Sequence, residues 1–200
     1  MFTVFQIVVF LFSVVLHEVA HGAAANAMGD NTAKDLGRLT LNPVKHIDLF
    51  GSIVLPLLAY LGSAGTFVFG YAKPVPYNPN NLNDRRFGPA KVAFAGPAVN
   101  LVLAVVFGLI IRFLPSSLGA TLPTLLGYIV WVNLLLAVFN LMPIPPLDGH
   151  WLLLTFLPAS ANVFKLWLVR YGMVLFVFFL FFIFPQLLPL INLLFRIIVG

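Results

Sequence analysis

Long apolar stretches separated by short polar loops dominate this 200-residue sequence. A helix crosses the hydrocarbon core of a bilayer with about 20 consecutive apolar residues, and several stretches reach or approach that length. They cover residues 1–28, 92–114, 124–142 and 171–184, followed by a Pro-interrupted apolar tail that carries Arg196. The pattern predicts an all-α polytopic membrane protein with about five transmembrane helices, folded as a single domain over residues 1–200.

Two further features lie between the first two spans. Residues 49–70 are apolar but are interrupted by Gly51, Pro56, Gly62 and Gly65, so they form either a span or a re-entrant pair of half-length segments. Residues 36–41, in the first polar loop, alternate apolar and polar side chains, which is typical of a short β-strand.

The first apolar run ends in Ala23, Ala24 and Ala25, which is similar to the cleavage site of a signal peptide. No Lys or Arg precedes the run, and the run is longer than the apolar core of a usual signal peptide. We therefore interpret residues 1–28 as a retained membrane span.

Composition excludes several classes of protein. The chain is 61% hydrophobic and 8% charged, whereas soluble domains carry about a quarter charged residues. The net charge is +5, but the basic residues lie in loops and at segment ends, so they report membrane topology rather than a nucleic-acid partner. Because the chain has no Cys, disulfides, thiolate zinc sites and cysteine nucleophiles are excluded, and a bound metal would need His, carboxylate or water ligands.

The most informative residues are His17, Glu18 and His21, which form an HExxH motif inside the first predicted span. On a helix, positions i and i+4 share one face, so both imidazoles can reach one metal ion with the Glu beside its water. Ionisable groups inside a membrane span are costly, and their default interpretation is functional. The motif therefore predicts a zinc site for hydrolysis.

A catalytic zinc site usually has three protein ligands, so a third ligand is needed. The candidates are Asp148, His150, His46, Asp30, Asp35, Asp48 and Asp84. Asp148 is favoured because it alone is flanked by strongly apolar segments and follows prolines that break a helix at membrane depth. The alternative is that Asp148 caps the helix beginning near Gly149. His150 is interpreted as a packed residue, and His46 as a solvated loop residue.

These motifs resemble the site-2 protease family of intramembrane zinc metalloproteases, in its compact form without a PDZ or CBS domain. The resemblance covers most of the chain and is carried by three blocks: His17–His21, Gly96–Asn100 with the sequence GPAVN, and Asn140–Gly149 with the sequence NLMPIPPLDG. The segments GRLTLNP (37–43) and AKPVP (72–76) also look like those of short bacterial and archaeal members. HExxH alone fits many metalloproteases, whereas HExxH with a downstream NxxPxPPLDG is highly specific.

The resemblance implies roles for individual residues. His17, His21 and Asp148 would bind one Zn²⁺ per chain, with Glu18 as general base and acid. Asn100 and Asn140 match polar positions thought to line the substrate cleft, and we expect them to contact substrate.

The implied enzyme is an intramembrane zinc metalloendopeptidase that uses zinc-activated water to cut peptide bonds within or near transmembrane segments. Its partners would be a transmembrane protein or peptide substrate and the lipid bilayer, and its location the plasma membrane of a prokaryote. Because a substrate helix must be unwound before hydrolysis, we expect the strand at residues 36–41 to pair with the extended substrate.

The candidate ligands constrain the topology. His21 lies near the end of the first span and Asp148 just past the span at 124–142, so these two helices must point the same way to share one metal. An odd number of crossings must separate them, which favours the re-entrant interpretation of residues 49–70. Both flanking loops are rich in Lys and Arg, which predicts that they are cytoplasmic and that the N-terminus is outside.

Three other classes of function explain the residues less well. A catalytically silent metal-binding protein would need the His pair but not Glu18. A zinc transporter would need several intramembrane carboxylates and His along a path, and this chain has one cluster. A structural scaffold explains none of the three blocks.

Overall fold

The computed structural model describes residues 2–65, 70–115, 117 and 119–200, and these residues form helices joined by loops, without a β-strand. Its α-helices in those ranges are α1 Phe2–Ala27, α2 Thr32–Asp35, α3 Leu55–Gly62, α4 Gly88–Arg112, α5 Thr121–Asn140, α6 Gly149–Phe156, α7 Asn162–Phe178 and α8 Phe184–Val199. Short 3-10 turns lie at Pro43–His46, Pro79–Asn81 and Ala159–Ala161, and π-helical turns at Phe50–Val54 and Phe179–Ile183. The predicted all-α class is confirmed for this part of the chain.

Four helices in the described ranges are long and apolar enough to cross a membrane: α1, α4, α5 and the continuous helix Asn162–Val199. The prediction of about five spans separated residues 171–184 from the apolar tail. In the structure, α7, the π-helical turn and α8 follow one another without a break. Pro185 does not interrupt this helix because it lies in the first turn of α8, a position where proline is tolerated.

The predicted strand at residues 36–41 is wrong. After α2 the chain curls back: the amide of Gly37 donates to the Lys34 carbonyl at 2.9 Å, and the amide of Arg38 donates to the Ala33 carbonyl at 2.8 Å. Gly37 has a φ of +62°, the left-handed conformation that commonly ends a helix. Because these amides close a helix end, they are unavailable to a sheet, and the expected pairing of residues 36–41 with a substrate loses its structural basis.

Helices α1, α4 and α5 lie side by side, and α1 runs parallel to α5 and antiparallel to α4. The contacts that establish these directions are Phe2 with Tyr128, Ser13 with Asn100 and Asn133, and His21 with Val92. Because α1 and α5 point the same way, an odd number of crossings separates them, as the parity argument required.

An apolar core joins α4, α5 and α8. Its fully buried members include Ala104 of α4, Val130 of α5 and Ile191 of α8, each 0% exposed. This packing holds α4 and α5 together at one side, and their other side meets α1, where the polar side chains gather.

The two ends of the segment 49–70 lie side by side in the structure. The amide of Tyr71 donates to the Gly51 carbonyl at 2.9 Å, and the amide of Lys73 donates to the His46 carbonyl at 2.8 Å. The apolar helix between these points, Phe50–Gly62, is about 20 Å long at about 1.5 Å per residue, short of the roughly 30 Å of a bilayer core. Residues 66–69 lie outside the described ranges. Both flanking loops therefore lie on one side, as a re-entrant segment requires.

Candidate metal centre

Three predicted ligands converge at one point. His17 and His21 project from the same face of α1, and their Nε2 atoms lie 3.0 Å apart. The Oδ2 atom of Asp148 is 3.0 Å from Nε2 of His17 and 3.3 Å from Nε2 of His21. In the part of the chain that the structure describes, these residues are the one group of three or more His or acidic side chains close enough together to hold a metal ion.

Asp148 reaches the His pair from the irregular segment between α5 and α6. Leu147 is buried beside Phe176, and Pro145 packs against Gly172 of α7, where a Cβ would lie 2.5 Å from the Pro145 Cβ. The alternative role of Asp148 as a helix cap is not observed, since its side chain makes no capping hydrogen bond to α6. The packed segment instead points the carboxylate at α1.

Hydrogen bonds determine which ring nitrogens carry protons. Nδ1 of His17 lies 2.6 Å from Oδ1 of Asn100, and Nδ1 of His21 lies 2.7 Å from the Val92 carbonyl oxygen. Both partners are acceptors, so each Nδ1 is the N–H donor, and in the neutral imidazole, the form that binds a metal, each Nε2 carries the lone pair. Two lone pairs and a carboxylate oxygen then face one another at 3.0–3.3 Å, which is favourable with a cation among them.

The spacing and surroundings of these atoms fit zinc. Bond lengths of about 2.0–2.2 Å in a tetrahedral site place neighbouring ligand atoms about 3.3 Å apart. Helix α4 passes the pair at Gly96, where a Cβ would lie 2.5 Å from Nε2 of His21 and 2.6 Å from Nε2 of His17. The absent side chain leaves room for an ion. Imidazoles that donate Nδ1–H to a second partner are the usual arrangement around bound metals.

Asn100 lies beneath His17 and is 0% exposed. Its amide nitrogen donates to Oδ1 of Asn133 at 2.8 Å and to the Ser13 carbonyl at 3.3 Å, while its Oδ1 accepts from His17. Asn100 is predicted from the sequence to contact substrate, but in this position its polar atoms are hydrogen-bonded to the protein. Asn133 was missed, although an Asn in the middle of an apolar span is a signal of function.

Glu18 is held by a segment that the sequence analysis did not connect with the site. Its Oε2 accepts a hydrogen bond from the amide of Val75 at 2.9 Å. The buried Arg38 fixes that segment, since its guanidinium donates to the Lys73 carbonyl at 2.9 Å and the Pro74 carbonyl at 3.2 Å. Glu18 is partly exposed, so its carboxylate is oriented and still reachable by water.

The remaining candidates lie elsewhere. His46 is buried rather than solvated and donates to the Thr40 carbonyl at 2.9 Å. His150 donates to the Leu147 carbonyl at 2.6 Å, and burial lowers its pKa. Asn140 donates to the carbonyl of Leu136 in its own helix at 3.0 Å. The four other acids remain in the polar loops: Asp30, Asp35, Asp48 and Asp84.

The chain is similar to a family of peptidases and to proteins named as zinc metalloproteases. The model of peptidase family M50 matches residues 5–123 and 115–184. "Putative zinc metalloprotease YwhC" of Bacillus subtilis is 36% identical over 180 residues, which cover 86% of this chain and 78% of that protein.

Two other relatives carry the same designation. Rip2 of Mycolicibacterium smegmatis is 33% identical over 141 residues, and the match covers 70% of this chain and 52% of Rip2. The protein MJ0611 of Methanocaldococcus jannaschii is 46% identical over 61 residues, or 30% of each chain. The chain thus spans about half the length of Rip2. No solved structure matches the chain.

Proposed function

The chain belongs to peptidase family M50, and we propose that it is an intramembrane zinc metalloendopeptidase. It is a multi-pass membrane protein with four helices long enough to span a bilayer in its described part. Its substrates would be membrane-anchored proteins, cut within or near their transmembrane segments. Its location would be the plasma membrane of a prokaryote.

The observation that carries this proposal is the convergence of His17, His21 and Asp148. Their three acceptor atoms lie 3.0–3.3 Å apart, and both Nδ1 atoms are engaged by protein oxygens. This set supplies three ligands and leaves a further position open, the arrangement typical of catalytic rather than structural zinc. One zinc ion per chain is expected.

Zinc held there would polarise a substrate carbonyl and lower the pKa of a water molecule toward neutrality. Glu18, which follows His17 directly in the sequence, would accept a proton from that water through its carboxylate as the water oxygen bonds to the carbonyl carbon. The hydrogen bond from Val75 orients Oε2, so Oε1 is left for the water. Glu18 would then return the proton to the amine nitrogen that leaves when the peptide C–N bond breaks. One water is consumed, and the products are a carboxylate and an amine.

The membrane setting constrains the substrate. Carbonyls of an intact helix are already hydrogen-bonded, so a transmembrane segment must be extended locally before a scissile carbonyl can reach the site. The expected substrate is therefore a single-pass protein or peptide whose transmembrane helix unwinds readily beside His17, His21 and Asp148. Nucleic acid is not an expected partner.

The proposal is tested by zinc content and by cleavage of a model transmembrane peptide in detergent, for the intact protein and for Glu18→Gln. We expect about one zinc per chain in both proteins. Cleavage should fall by at least about 10³-fold in Glu18→Gln, because the amide cannot accept the proton and several kcal/mol of transition-state stabilisation are lost.

A matched control is Asp35→Asn, which makes the same acid-to-amide change at an exposed position at the end of α2 and should leave turnover unchanged. Removal of zinc by a chelator should abolish cleavage, and added zinc should restore it. Equal cleavage by Glu18→Gln and the intact protein would contradict the assigned role of Glu18, and intact protein without bound zinc would contradict the metal centre.

A further inference from the structure

A chain of buried amide groups leads from α5 to the ligand His17. It contains Asn133 and Asn100, both 0% exposed, and begins at the Ile129 carbonyl of α5. Each amide side chain has one end that donates and one that accepts, so the orientation of one member determines the orientation of the next.

The order of donors along this chain can be followed from α5 to α1. The Ile129 carbonyl only accepts, so the amide nitrogen of Asn133 must face it, at 2.9 Å. The Oδ1 of Asn133 is then turned to Asn100 and accepts from its amide nitrogen at 2.8 Å. This turns Oδ1 of Asn100 to Nδ1 of His17, at 2.6 Å.

We propose that Asn133 is a positioning residue that sets the tautomer of His17 through Asn100. The inference rests on the proposed function, since the tautomer of His17 affects activity only if Nε2 binds the metal. With Asn133 in place, Nδ1 of His17 holds a proton, and in the neutral imidazole Nε2 offers its lone pair to the centre.

Without Asn133, Asn100 loses the shorter of its two acceptors. The bond that remains, to the Ser13 carbonyl, is 3.3 Å long and holds the amide weakly. Asn100 can then rotate and present its nitrogen to His17, which favours the proton on Nε2 and blocks the ligand atom. Loss of such an outer partner typically costs 10–100-fold in metal affinity.

The test compares three variants that disturb the same buried cluster. Asn133→Leu keeps the approximate volume but removes the acceptor. Asn133→Asp introduces a carboxylic acid that we expect to stay protonated in this apolar setting. Its carbonyl oxygen can accept from Asn100, and its hydroxyl can donate to the Ile129 carbonyl. Ser13→Ala removes the hydroxyl that accepts from Asn133 at 3.0 Å but leaves the Ser13 carbonyl and the order of donors intact.

Zinc affinity is measured by competition with a chromophoric chelator. We expect about a tenfold or greater loss for Asn133→Leu, and values within about twofold of the intact protein for the other two variants. The second measurement is made on metal-free protein: ¹⁵N spectra of labelled histidine distinguish protonated from lone-pair nitrogens, and the chain has only four histidines. His17 should be protonated at Nδ1 except in Asn133→Leu.

Equal affinities for Asn133→Leu and Ser13→Ala, or an unchanged His17 tautomer in Asn133→Leu, would overturn the inference while leaving the proposed function intact. If Asn133→Leu does not fold, a loss of Nδ1 protonation or of zinc affinity in Asn133→Asp would overturn it instead. Failure of the intact protein to bind zinc would overturn the proposed function, whereas the tautomer measurement would still test the role of Asn133.

Discussion

Gly96 has no side chain at a point of α4 where a Cβ would lie 2.5–2.6 Å from the Nε2 atoms of His17 and His21. Both atoms are predicted metal ligands, and each is buried in the interior of the helix bundle. A position this close to two ligand atoms determines whether an ion fits, even though glycine itself makes no polar contact.

Gly96→Ala should therefore expel the metal without unfolding the protein. Alanine is favoured over glycine in a helix by roughly 0.5–1 kcal/mol, but its methyl group would occupy the space next to the ligand atoms. We expect zinc affinity to fall by on the order of 100-fold or more, with cleavage lost in parallel. Chelator competition and thermal unfolding in detergent measure the two effects.

Gly127→Ala in α5 is the matched control, because its Cβ would make an ordinary contact of 3.5 Å with Phe195. This variant should keep full zinc affinity. Undiminished zinc binding by Gly96→Ala would show that the ion does not lie where α4 passes the His pair.

At the scale of elements, two loops beside the site are joined by one carboxylate. Asp30 follows α1, is 0% exposed, and accepts from the Asn78 amide at 2.7 Å, from the Asn81 side chain at 2.9 Å and from the hydroxyl of Thr32. Burial alone would raise the pKa of Asp30, but these hydrogen bonds hold its pKa below the ordinary value of 3.8. The ionised form therefore ties the end of α1 to the segment that carries Val75.

Because the pKa of Asp30 is lower in the folded protein than in the unfolded chain, its contribution to stability decreases at acidic pH. The stabilisation by Asp30 is complete above the unfolded pKa of 3.8 and is lost as the pH falls through the lower, folded value. Asp30→Asn should reduce the free energy of unfolding by about 2 kcal/mol at pH 7, because it removes a charged acceptor and places a donor against donors. The difference from the intact protein should shrink between pH 4 and pH 2, roughly the window below the unfolded pKa. Thermal unfolding in detergent at pH 7 and at about pH 2 measures this difference in stability.

Asp35→Asn is the control, since Asp35 lies exposed in the same loop and should change stability little. A stability difference between intact protein and Asp30→Asn that stays constant from pH 7 to pH 2 would argue against an ionised Asp30 as the link between the loops.

At the scale of the whole molecule, the helix directions place both basic loops on one side. Helices α1 and α5 are parallel, and the ends of the segment 49–70 adjoin. The positive-inside rule assigns this side to the cytoplasm, because the loops hold most of the basic residues: Lys34, Arg38, Lys45, Lys73, Arg85, Arg86 and Lys91. The loop before α5 should then lie outside.

Because the chain contains no Cys, single cysteines report this topology directly. In intact cells, a membrane-impermeant maleimide should label Thr121→Cys but neither Lys45→Cys nor Asn80→Cys, all three of which are exposed positions. After permeabilisation all three should react. Labelling of Asn80→Cys and not Lys45→Cys in intact cells would mean that residues 49–70 cross the membrane completely.

Much of the candidate site follows from local patterns. Apolar length predicted α1, α4 and α5, because a bilayer imposes a minimum length that any spanning helix must meet. The i, i+4 spacing of His17 and His21 places both on one face of a helix wherever that helix packs. The choice of Asp148, 131 positions beyond His17, rested on its apolar flanks and the prolines before it, and the resemblance to a family strengthened it.

The amino-acid sequence by itself therefore determined the membrane class, the main spans and the chemistry of the ligands, since hydropathy and helical period are local properties. Only the tertiary structure decided that residues 36–41 curl into a helix end, that Val75 holds Glu18, and that Asn133 and Asn100 lie behind His17. The contact of Val75 with Glu18 joins residues 57 positions apart, and the contacts of Asn100 with Asn133 and with His17 join residues 33 and 83 positions apart. Which polar groups meet across such distances depends on how helices pack, because each buried donor must find an acceptor on whichever neighbour the packing supplies.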